Sequence, residues 1–378
     1  MYPIVRLTQL IPMVSRARVN WQRRLYRRQL ARQIIEVPND RIAVSYGPGI
    51  GDQLRRGEDL TGGKVKLMYL HQRYPHDSAC FNILYLVSSA LPCHSVELAR
   101  WARKCGAIVV LNQNGVAYPA WTDDHQSIND ELAEVLSQTD LVIYQSHFCK
   151  QAADRFLGQP PSMWKILPNC VDINRFAPIK KVNGGAYRLL VAGTHYQRER
   201  VILPLHVVRS LMNKNVPVHL TIAGRLAWPQ AREEVCSLID RCGLESSVTF
   251  TGPFTHAEAP LLYADHDMLL HLKYKDPCPN VVIEAMASGL PVIGSASGGL
   301  EELIGTGGGS LLPVSDSWTE MFYPTVPDLC DAVLEVGKSI DEWRMITRKR
   351  AVEYFSSKDW ITNHSRIFCT ALGFSAVD

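Results

Sequence analysis

The sequence predicts an α/β protein made of two doubly wound halves. Short apolar runs alternate with amphipathic segments along most of the chain, which is the pattern of parallel strands joined by crossover helices. The alternation breaks once, at a Pro- and Gly-punctuated polar stretch between Leu167 and Ala186, and then restarts. A length of 378 residues also exceeds what a single core usually serves.

Composition narrows the class. With 46% apolar and 20% charged residues the chain reads as a soluble globular enzyme, and a formal charge of +3 is too small for a nucleic-acid partner. The ten cysteines show no C-x-x-C pair or metal-ligand spacing, and no secretory leader precedes them, so they are expected to be reduced thiols of a cytoplasmic protein. No apolar run approaches the ~20 residues that span a bilayer.

Residues 1–37 form a basic extension. Within it Ser15–Gln33 carries seven arginines and no acid, and Trp21, Leu25, Tyr26, Leu30 and Ile34 fall at roughly helical spacing. Such a segment either lies on an anionic membrane surface, making the protein peripheral on the inner face of the plasma membrane, or has no membrane role and is a solvated helix docked by its stripe on its own protein, a partly disordered arm or a transit peptide. Both readings stay open here. The first domain spans 38–178, beginning with a strand at Arg41–Tyr46 and a glycine-punctuated segment that ends at Gly62-Gly63. A glycine pair opening a helix allows a backbone to approach phosphate closely, so Gly62 and Gly63 are a candidate diphosphate loop, with a plain turn as the alternative. Val65–Tyr74 fits strand and helix equally.

Strand Ile83–Ser88, helix His94–Lys104 and strand Ala107–Leu111 follow, and the last leads into Asn112-Gln113-Asn114-Gly115. Ligands of parallel sheets sit beyond the carboxyl ends of strands, and amides both donate and accept, which makes Gln113 and Asn114 candidates for the sugar or acceptor side. An Asn-Gly turn without a ligand is the alternative. Tyr118–Trp121 adds aromatic faces. Strand Asp140–Tyr144 and a helix over Phe148–Phe156 complete the half, and the polar loop Ile179–Ala186 is the expected hinge.

The second domain, 179–355, restarts with strand Tyr187–Ala192, Gly193 and the basic loop Thr194–Arg200. His219–Ala223 is the next strand, followed by Gly224-Arg225, a helix over Gln230–Cys242 and strand Val248–Phe250. Asp265-His266-Asp267 spells a metal-binding D-x-D, but it runs straight into the buried strand Met268–Leu272, and no metal is expected there. A helix then opens near Asn280 and stops at Gly289 before strand Pro291–Ser295. This places Asp276 at the mouth of a helix and Glu284 in its first turns, beside free N–H groups of Asn280, Val281 and Val282. Carboxylates accept from sugar hydroxyls and N–H groups take phosphates, so the implied ligand is a sugar nucleotide. Helices Pro327–Val336, Asp341–Tyr354 and Trp360–Leu372 end the chain.

The stretch from Asp276 to Ile293 resembles the signature of retaining glycosyltransferases of the GT-B fold, the family 4 group, in which an acid, seven residues and a Glu precede Met-Ala-x-Gly-x-Pro-Val. Asp276 stands for the commoner Glu, and Pro277 to Asn280 replace the usual Ser-Phe-Gly. Ser297-Gly298-Gly299 with Glu301-Glu302 resembles the family's Gly-Gly-x-x-Glu turn, and LPNCVDINRFAP its connector, with Cys170 in place of a Gly. The resemblance implies two Rossmann-like domains facing a central cleft, the last helix (about 356–378) crossing back to complete the first domain. It also implies nucleotide contacts at Gly193, Gly224 and Arg225, sugar contacts at Asp276 and ribose contacts at Glu284. The family's diphosphate-gripping Arg and Lys positions hold Thr194 and Glu199, which leaves Arg198 or Arg200 for that task, with Arg198 favoured. A His common near Asn114 is missing.

The implied reaction is transfer of a sugar from a nucleoside diphosphate to an acceptor hydroxyl with retention, without metal or cofactor, in cell-surface glycan or glycolipid synthesis. The acceptor is a saccharide or a lipid-linked one, the latter favoured if the arginine-rich segment lies on a membrane. A sugar-nucleotide epimerase of the same fold and a non-catalytic scaffold subunit are the alternatives.

Overall fold

The computed structural model describes residues 12–58, 60, 62–160, 163–179 and 185–375. Most of the expected hinge, 180–184, therefore lies outside the described residues. The first domain contains α1 (Pro12–Leu30), β1 (Val44–Ser45), α2 (Ile50–Arg55), α3 (Val65–Arg73), β2 (Ile83–Val87), α4 (Ser95–Lys104), β3 (Ile108–Gln113), α5 (His125–Leu136), β4 (Leu141–Tyr144), α6 (His147–Phe156) and β5 (Met163–Ile166). The second contains β6 (Tyr187–Ala192), α7 (Glu199–Asn213), β7 (Val218–Ala223), α8 (Ala231–Cys242), β8 (Val248–Gly252), α9 (Ala259–Ala264), β9 (Met268–His271), α10 (Asn280–Ala287), β10 (Val292–Ala296), α11 (Leu300–Ile304), β11 (Gly309–Pro313), α12 (Val326–Lys338) and α13 (Ile340–Tyr354). Helix α14 (Ser357–Leu372) follows.

Both sheets are parallel throughout, ordered β1-β2-β3-β4-β5 and β11-β10-β9-β6-β7-β8. Winding in the second sheet reverses between β6 and β9, which opens a crevice at their carboxyl ends. The first sheet has an equivalent reversal that strand order alone conceals. Leaving α3, the chain touches the outer edge of β1, where Val44 bridges to His76 and Asp77 N–H donates to Val44 O at 3.0 Å, before it enters β2 on the other edge. The alternating faces of β2 agree: Leu84 and Leu86 pack towards α4 and α6, whereas Ile83, Tyr85 and Val87 pack towards α2, α3 and α14.

Several sequence expectations change at this level. The strand expected over Arg41–Tyr46 shortens to two residues, and the ambiguous Val65–Tyr74 is helical because its buried Leu67, Leu70 and Tyr69 cover β1 to β3. Helices α2 and α5 and strand β5 had not been anticipated. Helix α14 returns to the first domain as expected, burying Trp360 and Phe368 there, while Tyr74 Oη donates to Ser365 Oγ at 2.7 Å.

The arginine-rich segment is a docked helix. Tyr26 and Leu30 of α1 join the core beneath α4, and the buried Glu97 carboxylate lies 3.4 Å from Arg27 and 3.9 Å from Arg23. Its other face stays outside: Trp21 is 61% and Leu25 41% exposed, flanked by exposed Arg18, Arg24 and Arg28. The stripe is thus divided between the two readings.

Candidate active site

The site is built around the start of α10. Pro279, in extended backbone (φ −71°, ψ 121°), ends the preceding loop and the helix begins at Asn280. The N–H groups of Val282 and Ile283 donate back to Pro279 O at 3.2 and 3.3 Å, so the Val282 N–H expected to be free is engaged, and the open end of the helix is at Asn280 and Val281. Asn280 Nδ2 donates to Gly62 O at 3.1 Å, so the glycine pair, a 3₁₀ turn over Gly62–Lys64 leading into α3, faces α10 across the cleft. Gly63 cannot be replaced there without displacement: a Cβ would lie 2.4 Å from Ser89 Oγ and 2.5 Å from Asn114 Nδ2.

Asp276 precedes the helix and is 8% exposed. Burial alone would raise its pKa. Lys273 Nζ at 3.0 Å and His271 Nε2 at 3.3 Å from Oδ2 outweigh that and hold the carboxyl well below the usual range. The loop is fixed from behind by Gly299 N–H, which donates to Asp276 O at 2.9 Å; a Cβ on Gly299 would meet Pro277 O at 2.0 Å. Glu284, one helical turn inside α10, behaves oppositely. Burial pushes it up to about 7, against the Tyr263 hydroxyl that donates to Oε2 at 2.8 Å. Two carboxylates eight residues apart are therefore set to different protonation states.

The cations are sorted by the start of α7. Arg200, in its first turn, points inward, is 6% exposed, and donates to Thr194 O at 2.8 Å and Ala192 O at 3.2 Å. Burial lowers its pKa, opposed by the Asp276 charge. Arg198 lies just outside the helix and is held at its Nε by Glu234 and at its Nη1 by Glu199, each at 2.6 Å. The favoured phosphate cation is thus engaged in a surface ion cluster on α8, because the helix begins at Glu199 and turns position 198 outward. Gly193 and Gly224 end adjacent strands, with Gly193 N–H donating to Ala223 O and Gly224 N–H to Gly252 O. Beside them Gly224, Arg225, Trp228 and Phe250 line a concavity of about 440 Å³.

The amides of the first domain separate by strand alternation. Asn112 and Asn114 face the α3 side, whereas Gln113 is fully buried between them on the other face and donates to Gly115 O at 3.1 Å. The pairing of Gln113 with Asn114 as one sugar-side constellation therefore does not hold, since neighbouring strand residues point to opposite faces. Asn114 instead joins a cluster that was not anticipated. Lys66, in the first turn of α3, donates to Asn112 Oδ1 at 2.6 Å, Asn169 Oδ1 at 3.0 Å and Asn114 Oδ1 at 3.3 Å. The three asparagines are visible in the sequence, but nothing in it marks Lys66 as buried.

The walls are joined by contacts that sequence reasoning also missed. Glu302, on α11, accepts from the N–H groups of His147 and Phe148 at 2.7 Å each, capping α6 of the other domain. Trp318 stacks on Phe148 at 5.7 Å, meets Phe156 edge-on at 5.0 Å, and carries Lys275 Nζ 3.9 Å over its ring. Among the described residues no His, Cys, Asp and Glu group is arranged to hold a metal ion, and Asp267 of the D-x-D sequence accepts from Arg188 N–H and pairs with Arg344.

Residues 186–330 match the family Glycosyl transferases group 1. No curated protein matches the chain. Among solved structures, HepE of Anabaena with UDP superposes with a TM-score of 0.64 at 16% identity, covering 89% of this chain and all of that one. Sucrose-phosphate synthase of Thermosynechococcus elongatus gives 0.62 at 17%, covering 90% and 88%. TarM gives 0.59 at 15%, covering 82% and 57%. The chain has the GT-B fold of these proteins, and its residues 186–330, which hold Asp276 and Glu284, are similar to the Glycosyl transferases group 1 family.

Proposed function

We propose that the protein is a retaining glycosyltransferase that moves a sugar from a nucleoside diphosphate to an acceptor hydroxyl without a metal ion. The observation that carries this reading is the opposition of Gly62 and Asn280 across the cleft, with ionised Asp276 and buried Glu284 on the same helix entrance. The N–H groups of Gly63, Asn280 and Val281, together with Arg200, take the negative charge that grows on the leaving diphosphate. Asp276 accepts from sugar hydroxyls and Glu284 from the ribose. The base enters the concavity between Arg225 and Phe250. The leaving phosphate removes the acceptor proton, so no protein nucleophile is required. That HepE has been crystallised with UDP and with UDP-glucose supports this class of donor.

The acceptor belongs to a cell-surface glycan or glycolipid, reached at a membrane surface. The exposed face of α1, with Trp21, Leu25 and the three arginines 18, 24 and 28, supports that placement on the inner face of the plasma membrane.

Calorimetric titration with UDP, GDP, ADP and TDP in EDTA tests the donor reading. Micromolar binding of one nucleotide is expected; binding of none would overturn it. Sedimentation with anionic vesicles tests the location, and equal recovery after Trp21→Ala with Leu25→Ala would remove the role given to α1.

A further inference from the structure

Lys66 is a buried cation whose partners are all neutral. It is 2% exposed, and its three N–H donors are shared among three carboxamide oxygens. Gln145 from the end of β4 donates to two of the same oxygens, Asn112 Oδ1 at 3.2 Å and Asn114 Oδ1 at 2.8 Å. Titratable groups face the cluster from every side. Cys149 comes from α6, Cys170 from the interdomain connector, Cys278 from the loop before α10, Tyr85 from β2 and His364 from α14. Burial keeps each of them uncharged near neutral pH. The thiols of Cys149 and Cys278 are pushed up to about 12 and that of Cys170 well above its ordinary value; Tyr85 is raised, and His364 is held down to about 3. Among the described residues no carboxylate stands within ion-pair distance of Lys66.

Removing an ammonium from water without an anion is costly, and such a group persists where something else needs its charge. The position of Lys66 indicates what that is. Asn114, which it orients, donates to Ser89 Oγ at 2.6 Å immediately beneath Gly63. Asn169, which it also orients, donates to Cys278 O at 2.9 Å, in the loop between Asp276 and α10. One ammonium thus fixes an amide behind each lip of the cleft where the glycine pair meets the helix start.

We propose that Lys66 is a positioning residue for the diphosphate: it orders the Gly63 and Cys278 lips through Asn114 and Asn169, and its charge, unmatched inside the protein, is matched when the diphosphate enters. This rests on the donor reading above.

Burial lowers the Lys66 pKa to about 8, so the test can be a pH series. Above pH 7 a terminal phosphate is fully ionised, since its second pKa is about 6. Between pH 7 and 8.5, a window in which the ring N–H of uracil, guanine and thymine stays largely protonated, the wild-type chain should lose roughly threefold in affinity for whichever of UDP, GDP, ADP and TDP binds, the equivalent of about a one-unit rise in the Lys66 pKa on binding. Affinity for the matching nucleoside should stay flat. Lys66→Met should bind the diphosphate weakly and without this pH dependence while still binding the nucleoside, which also reports that it is folded. A flat wild-type diphosphate profile would overturn the proposal, as would wild-type diphosphate affinity in Lys66→Met. The wild-type profile decides alone if the variant does not fold. If no nucleotide binds the wild type, the donor reading itself has failed and this proposal falls with it; nucleotide binding with a flat profile removes Lys66 only.

Discussion

On the second-domain wall of the cleft, buried Asp276 lies 3.0 Å from Lys273 and 3.3 Å from His271, whereas on the first-domain wall buried Lys66 meets only carboxamide oxygens. Both charges are out of water, yet the one is stabilised inside the protein and the other is left unmatched. A matched charge keeps its protonation state over a broad pH range, which suits a carboxylate that must always accept hydrogen bonds. An unmatched charge costs stability and responds to whatever anion arrives. The two walls therefore divide the work between a fixed acceptor and a responsive cation.

The largest effect that would sharpen this contrast is at Asp276. Asp276→Asn keeps the shape but removes the charge, and turnover with the cognate donor should fall on the order of 10²–10³-fold with nucleotide affinity changed only a few-fold. Equal losses in both, measured by steady-state kinetics and calorimetry, would break the assignment. Next are the two arginines. Arg200→Gln should cost roughly 10²-fold in kcat/KM, because it removes an inward guanidinium near Asp276, while Arg198→Ala should change it less than about twofold, its partners being surface carboxylates. A reversed order would return the phosphate role to Arg198.

Glu284 gives the smallest effect and the clearest sign. Its folded pKa, about 7, lies above the ordinary 4.5, so the folded state binds more protons between those values. The stability it contributes is full below about pH 4.5 and is lost as pH rises through about 7. Glu284→Gln should therefore be more stable than the wild type at pH 8 by about 2–3 kcal/mol, with the gap closing towards pH 5, while binding the nucleotide more weakly. Denaturant unfolding at the two pH values checks the first part, and a stability gap independent of pH would break it.

Much of the second domain was legible in the residues. Asp276, Glu284 and the helix start at Asn280 all stand where spacing and capping logic put them, because local rules govern a helix entrance. The first domain was harder to read. A two-residue β1 and helices α2 and α5 leave little periodic signal, and the segment at His76 that reverses the winding holds a single bridge. Arg198 was favoured over Arg200, but a shift of one residue in where α7 begins decides which of them faces inward, and the buried one is Arg200. Gln113 and Asn114 were grouped by adjacency, although strand alternation separates them.

By itself the sequence determined the alternation of strands and helices, the break between two halves and the carboxylates at the α10 entrance, because each depends on neighbours within a few turns of chain. Only the tertiary structure decided which charges are buried and what they meet. Lys66 joins Asn112, Asn114 and Asn169, Glu302 caps α6, and Trp318 reaches Phe148 and Phe156, each across long stretches of chain. Desolvation and Coulomb energy depend on those distances in space, and separation along the chain does not encode them.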